Sequence, residues 1–323
     1  MKIIFSFVIV LVCSACSKEV DLSHFEKEDK LVINSYLIAD STFNVYVGKT
    51  GQYEDTGDLY LNGLNLTIYD ENNQALERLT NIDSGQYISQ NMLIEEGRQY
   101  RITTEYNNKT VQSEQTVPHK KEIQNIRYTG NYVISEEGIK NIEFEIDFKD
   151  DPDKMNYYEI SAQLKYTDSA YLSDTYGDPE NIYPSYYDRR FNKYDKEYIN
   201  SSDEVFINES YTQDEIYSAM VFTDELFNGT TKSIKLYYSG YILNNEQYFP
   251  KHSLKVYLKS TGKDYYFYKK TLMRHIDNQY SDFWYGTANP VGLYSNIQNG
   301  YGIFAAYTLD CDSILFNETK INK

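Results

Sequence analysis

Cysteine, histidine and tryptophan are scarce in this chain, and each scarcity removes a class of chemistry. Of three cysteines in 323 residues, Cys13 and Cys16 fall within the first sixteen. Only Cys311 is left for the body, so an internal disulfide is excluded whatever the redox compartment. The four histidines, His24, His119, His252 and His275, stand far apart with no pair at ligand spacing, which argues against a zinc site of the usual His/Cys kind. A single tryptophan is few for a sugar-stacking platform. Positive charge is also short: 31 Lys and Arg face 48 Asp and Glu, and the net charge of −17 opposes binding to nucleic acid or to anionic headgroups. Partners are therefore expected to be neutral, cationic or proteinaceous. No G-x-S-x-G nucleophile elbow, H-E-x-x-H helix or Gly-rich phosphate loop is present. With 48 acidic residues, a carboxylate pair at glycosidase spacing carries no information. The expectation is a non-enzymatic chain without a cofactor or metal.

The long apolar run, Ile3 to Val12, is half of the ~20 residues that a membrane-spanning helix needs. Lys2 precedes it and the small residues Ser14 and Ala15 close it before Cys16, the layout of an export signal over residues 1–15. A thiol at this place can carry a thioether-linked diacylglycerol, so Cys16 is the expected lipidation site. Cys13 is the poorer acceptor because bulky Val12 precedes it, and it stands where a lipoprotein signal usually has Leu. An ordinary secretory signal with an incidental cysteine is the alternative. Acyl chains at about 0.8 kcal/mol per buried methylene would tether the chain to a membrane without spanning it. Residues 16–30, ending in SKEVDLSHFEKEDK, read as a solvated tether. Glu19 and Asp21 resemble the acidic stretch that directs some lipoproteins to the cell surface, and a plain charged spacer fits them equally.

From Leu31 the pattern becomes short alternating runs, LVINSYLI, FNVYVGKT, LNLTIYDENNQAL, GQYIS and RQYRITTEYNNKTVQSEQTV, separated by polar turns and ending at Val117-Pro118. Thirty-five tyrosines add to the strand bias. The expected fold is mostly β: an immunoglobulin-like or prealbumin-like sandwich over residues 31–118, then a larger antiparallel β domain over 119–317, sandwich or barrel-like. In the second region Ile142, Phe144, Ile146 and Phe148 alternate with Glu143, Glu145 and Asp147, so one face is buried. Further strands are expected over 157–166, 204–207, 233–238, 254–259 and 302–307. One helix is expected near 262–277, with Thr261 and Asp264 spaced as a capping box and Tyr265, Tyr268, Leu272 and Ile276 as its buried stripe. His275 falls near the expected end of that helix, where a cation complements the dipole. Cys311, beyond the last strand, is expected to be a semi-buried hydrophobe.

Residues 168–204 show no sustained period and concentrate tyrosine among Asp, Asn, Ser and Gly. Tyr176, Tyr183, Tyr186, Tyr187 and Tyr194 are the candidate binding residues, since tyrosine with Ser, Gly and Asn suits adaptable recognition. A wandering surface loop is the alternative. Asp150, Asp151 and Asp153 could hold a cation but lack the spacing and glycine of an EF-hand, so a solvated turn is the preferred reading.

Leu64 to Tyr69, Ser84-Gly85-Gln86-Tyr87, Gly97-Arg98-Gln99-Tyr100, the Val117-Pro118 border and above all SNIQNGYGIF at 295–304, behind a lipoprotein signal, resemble the Bacteroidetes lipoprotein family catalogued as domain of unknown function 4249. The likeness spans residues 16–317; Asn299 stands where a Gly is commoner. Membership would imply an accessory or ligand-capturing subunit of a TonB-dependent outer-membrane receptor, lipid-anchored at the outer membrane on its periplasmic or outer face. It carries over no catalytic residues. The alternative is a free-standing surface lipoprotein that binds glycan or protein.

Overall fold

A computed structural model describes residues 29–51, 59–134, 140–152, 154–169, 190–197, 199–206, 220–238, 252–285 and 292–316. The alternating runs form strands: β1 (Leu31–Ile38), β2 (Thr42–Lys49), β3 (Thr67–Asp70), β4 (Ala75–Arg78), β5 (Thr80–Asn81), β6 (Gln86–Leu93), β7 (Gln99–Tyr106) and β8 (Lys109–Thr116). The second region adds β9 (Ile123–Ile134), β10 (Lys140–Lys149), β11 (Tyr157–Ser169), β12 (Arg190–Glu197), β13 (Ile199–Asn200), β14 (Met220–Thr223), β15 (Thr231–Tyr238), β16 (His252–Thr261) and β17 (Tyr301–Phe316). The helix is α1 (Lys263–Tyr285).

Nine strands make one sheet, in the order β12-β11-β16-β17-β1-β2-β6-β5, with β14 paired to β11 beyond the end of β12. Two four-stranded sheets, β4-β3-β7-β8 and β13-β15-β10-β9, complete the architecture. The fold is sandwich-like and mostly β, with several antiparallel sheets and no closed barrel among the described residues. Its inner face feeds two cores. One holds Ile33, Val45 and Tyr87 of the large sheet with Ile68, Tyr100 and Ile102 of the first small sheet. The other holds Ile160, Leu254 and Val256 of the large sheet with Phe144, Ile146, Ile234 and Leu236 of the second. Tyrosine reaches far inside both: Tyr87, Tyr100, Tyr158 and Tyr238 are fully buried.

β17 joins the two halves. Its first part pairs in parallel with β1, from Val32 opposite Tyr301 to Ile38 opposite Tyr307. Its second part pairs antiparallel with β16, from Thr261 opposite Tyr307 to His252 opposite Phe316. Phe304 and Ala306 enter the first core, while Ile314 packs against the second. The sheet thus runs continuously past residue 118. Gly302 makes the parallel pairing possible: its φ is +106°, and a Cβ there would lie 2.1 Å from the Ile33 carbonyl oxygen. Asn299 takes the left-handed conformation at φ 59°, as a glycine would.

Four local expectations are corrected. Residues 204–206 form a single 3-10 turn with Val205 and Phe206 buried, not a strand. The region 168–204 is not one loop, because β11 runs on to Ser169 and β12 returns beside it, Ser169 opposite Arg190 and Ala162 opposite Glu197. α1 continues ten residues past His275, so that histidine is not at its end. β17 extends to Phe316 and carries Cys311 within it, exposed and opposite Tyr257. Alternation puts the Cys311 side chain on the outer face, beyond the part that α1 covers.

Candidate functional site

Cys16, Tyr176, Tyr183, Tyr186 and Tyr187 lie outside the described residues. Tyr194 falls on β12, opposite Lys165 of β11. The described residues with chemistry worth weighing lie elsewhere, around the start of α1 and the ends of β8, β11 and β16.

β16 runs into α1 through Gly262, whose amide donates to the Ala306 carbonyl at 2.9 Å and whose carbonyl accepts from the Tyr266 amide at 3.2 Å. Gly262 is therefore the N-cap, and the expected capping box does not form. Thr261 is one position too early, 4% exposed, and its hydroxyl has no hydrogen-bond partner among the described residues. Asp264 also turns away from the helix start. Its carboxylate accepts from Gln115 of β8, from the Tyr294 hydroxyl and from Asn296 Nδ2 at 3.2 Å. Burial, then the Asp264 carboxylate, pushes the Tyr294 hydroxyl well above its ordinary value, so it stays a donor. Asn296 is held in turn by Phe304, donating to its carbonyl at 2.7 Å and accepting from its amide at 3.0 Å. In front of Gly262 opens a cleft of about 290 Å³, lined by Gln99 and Gln115 from the first half and by Lys154, Tyr157, Thr261 and Lys263 from the second.

Beneath α1, Glu159 of β11 is 1% exposed on the outer face of the large sheet. It pairs with Lys259 of β16 and with Lys269 of α1 at 3.8 Å, and accepts from the Tyr265 hydroxyl at 2.7 Å. Burial alone would raise this carboxyl, but Lys259 and Lys269, with the hydrogen bonds from Lys259 and Tyr265, outweigh it and hold it below the ordinary value. Tyr36 and Tyr307 pack on Tyr265 with centroids 5.4 and 5.5 Å away, and the Lys259 ammonium stands 4.9 Å from the Tyr307 centroid. A carboxylate so held fastens α1 to the sheet through Lys269 and Tyr265. The buried face of α1 is Tyr265, Tyr266 and Met273, with Tyr268, Leu272 and Ile276 of the expected stripe half-buried. Glu159 was not visible as special, because the register that sets it opposite Lys259 is a long-range property.

Of the acidic turn after β10, Asp150 is buried against expectation, Asp151 is half-exposed and pairs with Lys121, and Asp153 lies outside the described residues. Asp150 is 1% exposed and accepts from the Tyr158 hydroxyl and from the Gly229 amide at 2.8 Å. Asp224, itself fully buried, lies near enough to feel its charge. One oxygen of Asp224 accepts from the amide and the side chain of Asn156 at 2.9 and 3.1 Å, while Oδ1 has no donor among the described residues. Burial, then the Asp150 charge against the opposing Asn156 bonds, raises the Asp224 pKa. Donors are already aimed at three of the four oxygens, an arrangement that suits hydrogen-bonded carboxyls better than a cation. Among the described residues, no group of three or more His, Cys, Asp or Glu could hold a metal ion.

The family described as Domain of unknown function (DUF4249) matches residues 17–310 of the chain. No curated protein matches. Among solved structures, a DUF4785 family protein from Legionella pneumophila superposes with a TM-score of 0.24 at 8% identity, covering 73% of this chain and 53% of the other. The chain thus spans about half the length of that protein, and a likeness so distant carries no argument.

Proposed function

The chain belongs to the family described as Domain of unknown function (DUF4249), and from that premise we propose that it is a non-enzymatic lipoprotein of a Bacteroidetes outer membrane, an accessory or ligand-capturing subunit of a TonB-dependent receptor. The observation that carries the reading is the leader: an apolar run too short to span, closed by Ser14, Ala15 and Cys16. The emergence of the tether supports it. Lys30 meets the Tyr301 hydroxyl at 3.4 Å, Lys49 pairs with Asp29 at 3.0 Å, and the Thr50 amide donates to the Lys30 carbonyl at 2.9 Å. Residues 17–30 can extend at most about 50 Å at ~3.5 Å per residue, so the β body works close to the bilayer, within reach of an embedded partner.

Two measurements test this. Mass spectrometry of the membrane-extracted protein should find Cys16 acylated, and Cys16→Ala should move the protein to the soluble fraction. An unmodified Cys16 in freely soluble material refutes the anchor. Affinity purification from gently solubilised outer membranes should recover a β-barrel receptor. Repeated recovery of the lipoprotein alone, together with glycan-array binding by the isolated body, favours the free-standing surface module instead.

A further inference from the structure

We propose that the cleft at the start of α1 binds a small carboxylate, seated on the first-turn amides of the helix with Thr261 Oγ1 as an added donor. The idea is independent of where the chain is anchored. α1 is 23 residues long, so its N-terminus carries a developed positive end. Among the described residues no side chain accepts from the amides of that end. Gly262 has no side chain to offer, and Asp264 is spent on Gln115, Tyr294 and Asn296. The amides of Lys263, Asp264 and Tyr265 are first-turn donors with no intrahelical acceptor.

Thr261 points to a ligand independently of the helix end. It lines the cleft, is 4% exposed, and its hydroxyl has no partner among the described residues. A buried hydroxyl left unbonded costs about 1–3 kcal/mol, which an arriving acceptor removes. A Cβ on Gly262 would meet Gln115 Oε1 at 3.0 Å, so the Gln115 side chain borders the seat closely.

The surrounding charges set the valence of the ligand. Lys154 and Lys263 line the cleft, but so does Glu114, and the Asp264 carboxylate lies just behind. Two exposed ammoniums against two carboxylates suit a single negative charge, not the dianion of a phosphate. Among the described residues no arginine lines the cleft to form the bidentate fork that phosphate prefers. The cleft volume of about 290 Å³ lies at the small end of the ~300–1,000 Å³ range of ligand pockets, so the ligand is a small molecule or a chain terminus.

The test titrates ¹⁵N-labelled full-length protein with N-acetylglycine and, as the uncharged control, N-acetylglycinamide. Saturable shifts of the Gly262 to Tyr265 amides with the acid alone are the expected result. Thr261→Val should weaken binding about tenfold, the worth of one hydrogen bond to a charged group. Its unfolding midpoint should equal or exceed that of the unmodified protein, because no internal hydrogen bond is lost. Lys263→Gln, on an exposed residue whose loss leaves the fold intact, should weaken binding two- to threefold and provides the reading if Thr261→Val does not fold. Shifts that fail to saturate, that the amide reproduces, that persist unchanged in both variants, or that inorganic phosphate produces more strongly each overturn the proposal.

Discussion

Asp224→Asn should stabilise the protein at neutral pH although it deletes a charge from a hydrogen-bonded site. Asp224 is fully buried against Asp150, and its Oδ1 is the one oxygen of the pair without a donor. An asparagine can keep its oxygen on the Asn156 amide, which now donates at 2.9 Å, and turn its NH₂ towards Asp150. That replaces like-charge contact with an amide-to-carboxylate bond. Relief of one orphaned buried acceptor is worth about 1–3 kcal/mol, and slight rearrangement offsets part of it, leaving a gain of roughly 1–2 kcal/mol. With an m-value of about 3 kcal/mol/M, the urea midpoint rises by roughly 0.3–0.7 M. The sign with pH follows from linkage. The folded-state pKa of Asp224 is raised above its ordinary 3.8, so the folded protein holds this proton more tightly than the unfolded chain does. Its contribution is full below that ordinary value and is lost as pH rises through the folded one. The advantage of the variant should therefore vanish near pH 4 and be largest near pH 8, read from urea unfolding at both. Asp150→Asn should do the reverse, because its NH₂ would confront the Tyr158 hydroxyl or the Gly229 amide. A variant at 224 that is less stable at pH 8, or whose advantage ignores pH, refutes the reading of Asp224 as a buried carboxyl held against the charge of Asp150.

Glu159→Gln should destabilise by about 2–4 kcal/mol, measured by the same unfolding. It strands Lys259 and Lys269, and the usual cost of breaking a buried pair is reduced because these side chains are 19% and 21% exposed. The Glu159 carboxyl is held below its ordinary value, so its contribution is present at neutral pH and fades as pH falls through the folded value. Gly302→Ala should cost roughly 3 kcal/mol or more, seen as a lower thermal midpoint and lower yield, since a Cβ would sit 2.1 Å from the Ile33 carbonyl oxygen at a φ of +106°. A midpoint within experimental error of the original would show that β17 does not pair tightly with β1.

The strands were legible because their signal is local. The alternation of Leu31, Ile33 and Leu37, or of Ile142 to Phe148, is the period of a one-sided strand, and those residues are buried. The strand-to-helix passage at 261–263 was legible from the change of period, but the cap was misplaced by one residue. Thr261 is held in β16 by its pairing with Tyr157 and Tyr307, so the helix cannot begin on its hydroxyl. The burial of Asp150, and the meeting of Glu159 with Lys259 and Lys269, escaped because each depends on partners distant in sequence. A charge in a strand reads as a solvated face until a helix is found to cover it.

The border at 118 marks where one small sheet gives way to the other, yet the large sheet makes the two halves depend on each other. The pairing of Val32 with Tyr301 closes nearly the whole chain, and its loop-closure entropy is recovered only when Phe304 and Ala306 enter the first core. The β8–β7 and β10–β9 hairpins need no such closure, so they can form before β17 is placed. The cleft at α1 belongs to that last step. Gln99 and Gln115 come from the first half, Thr261 and Lys263 from the second, and the Gly262 amide is held by Ala306 of β17 itself. The seat for a ligand is thus completed by the strand that joins the halves, and whatever binds there stabilises their union by mass action.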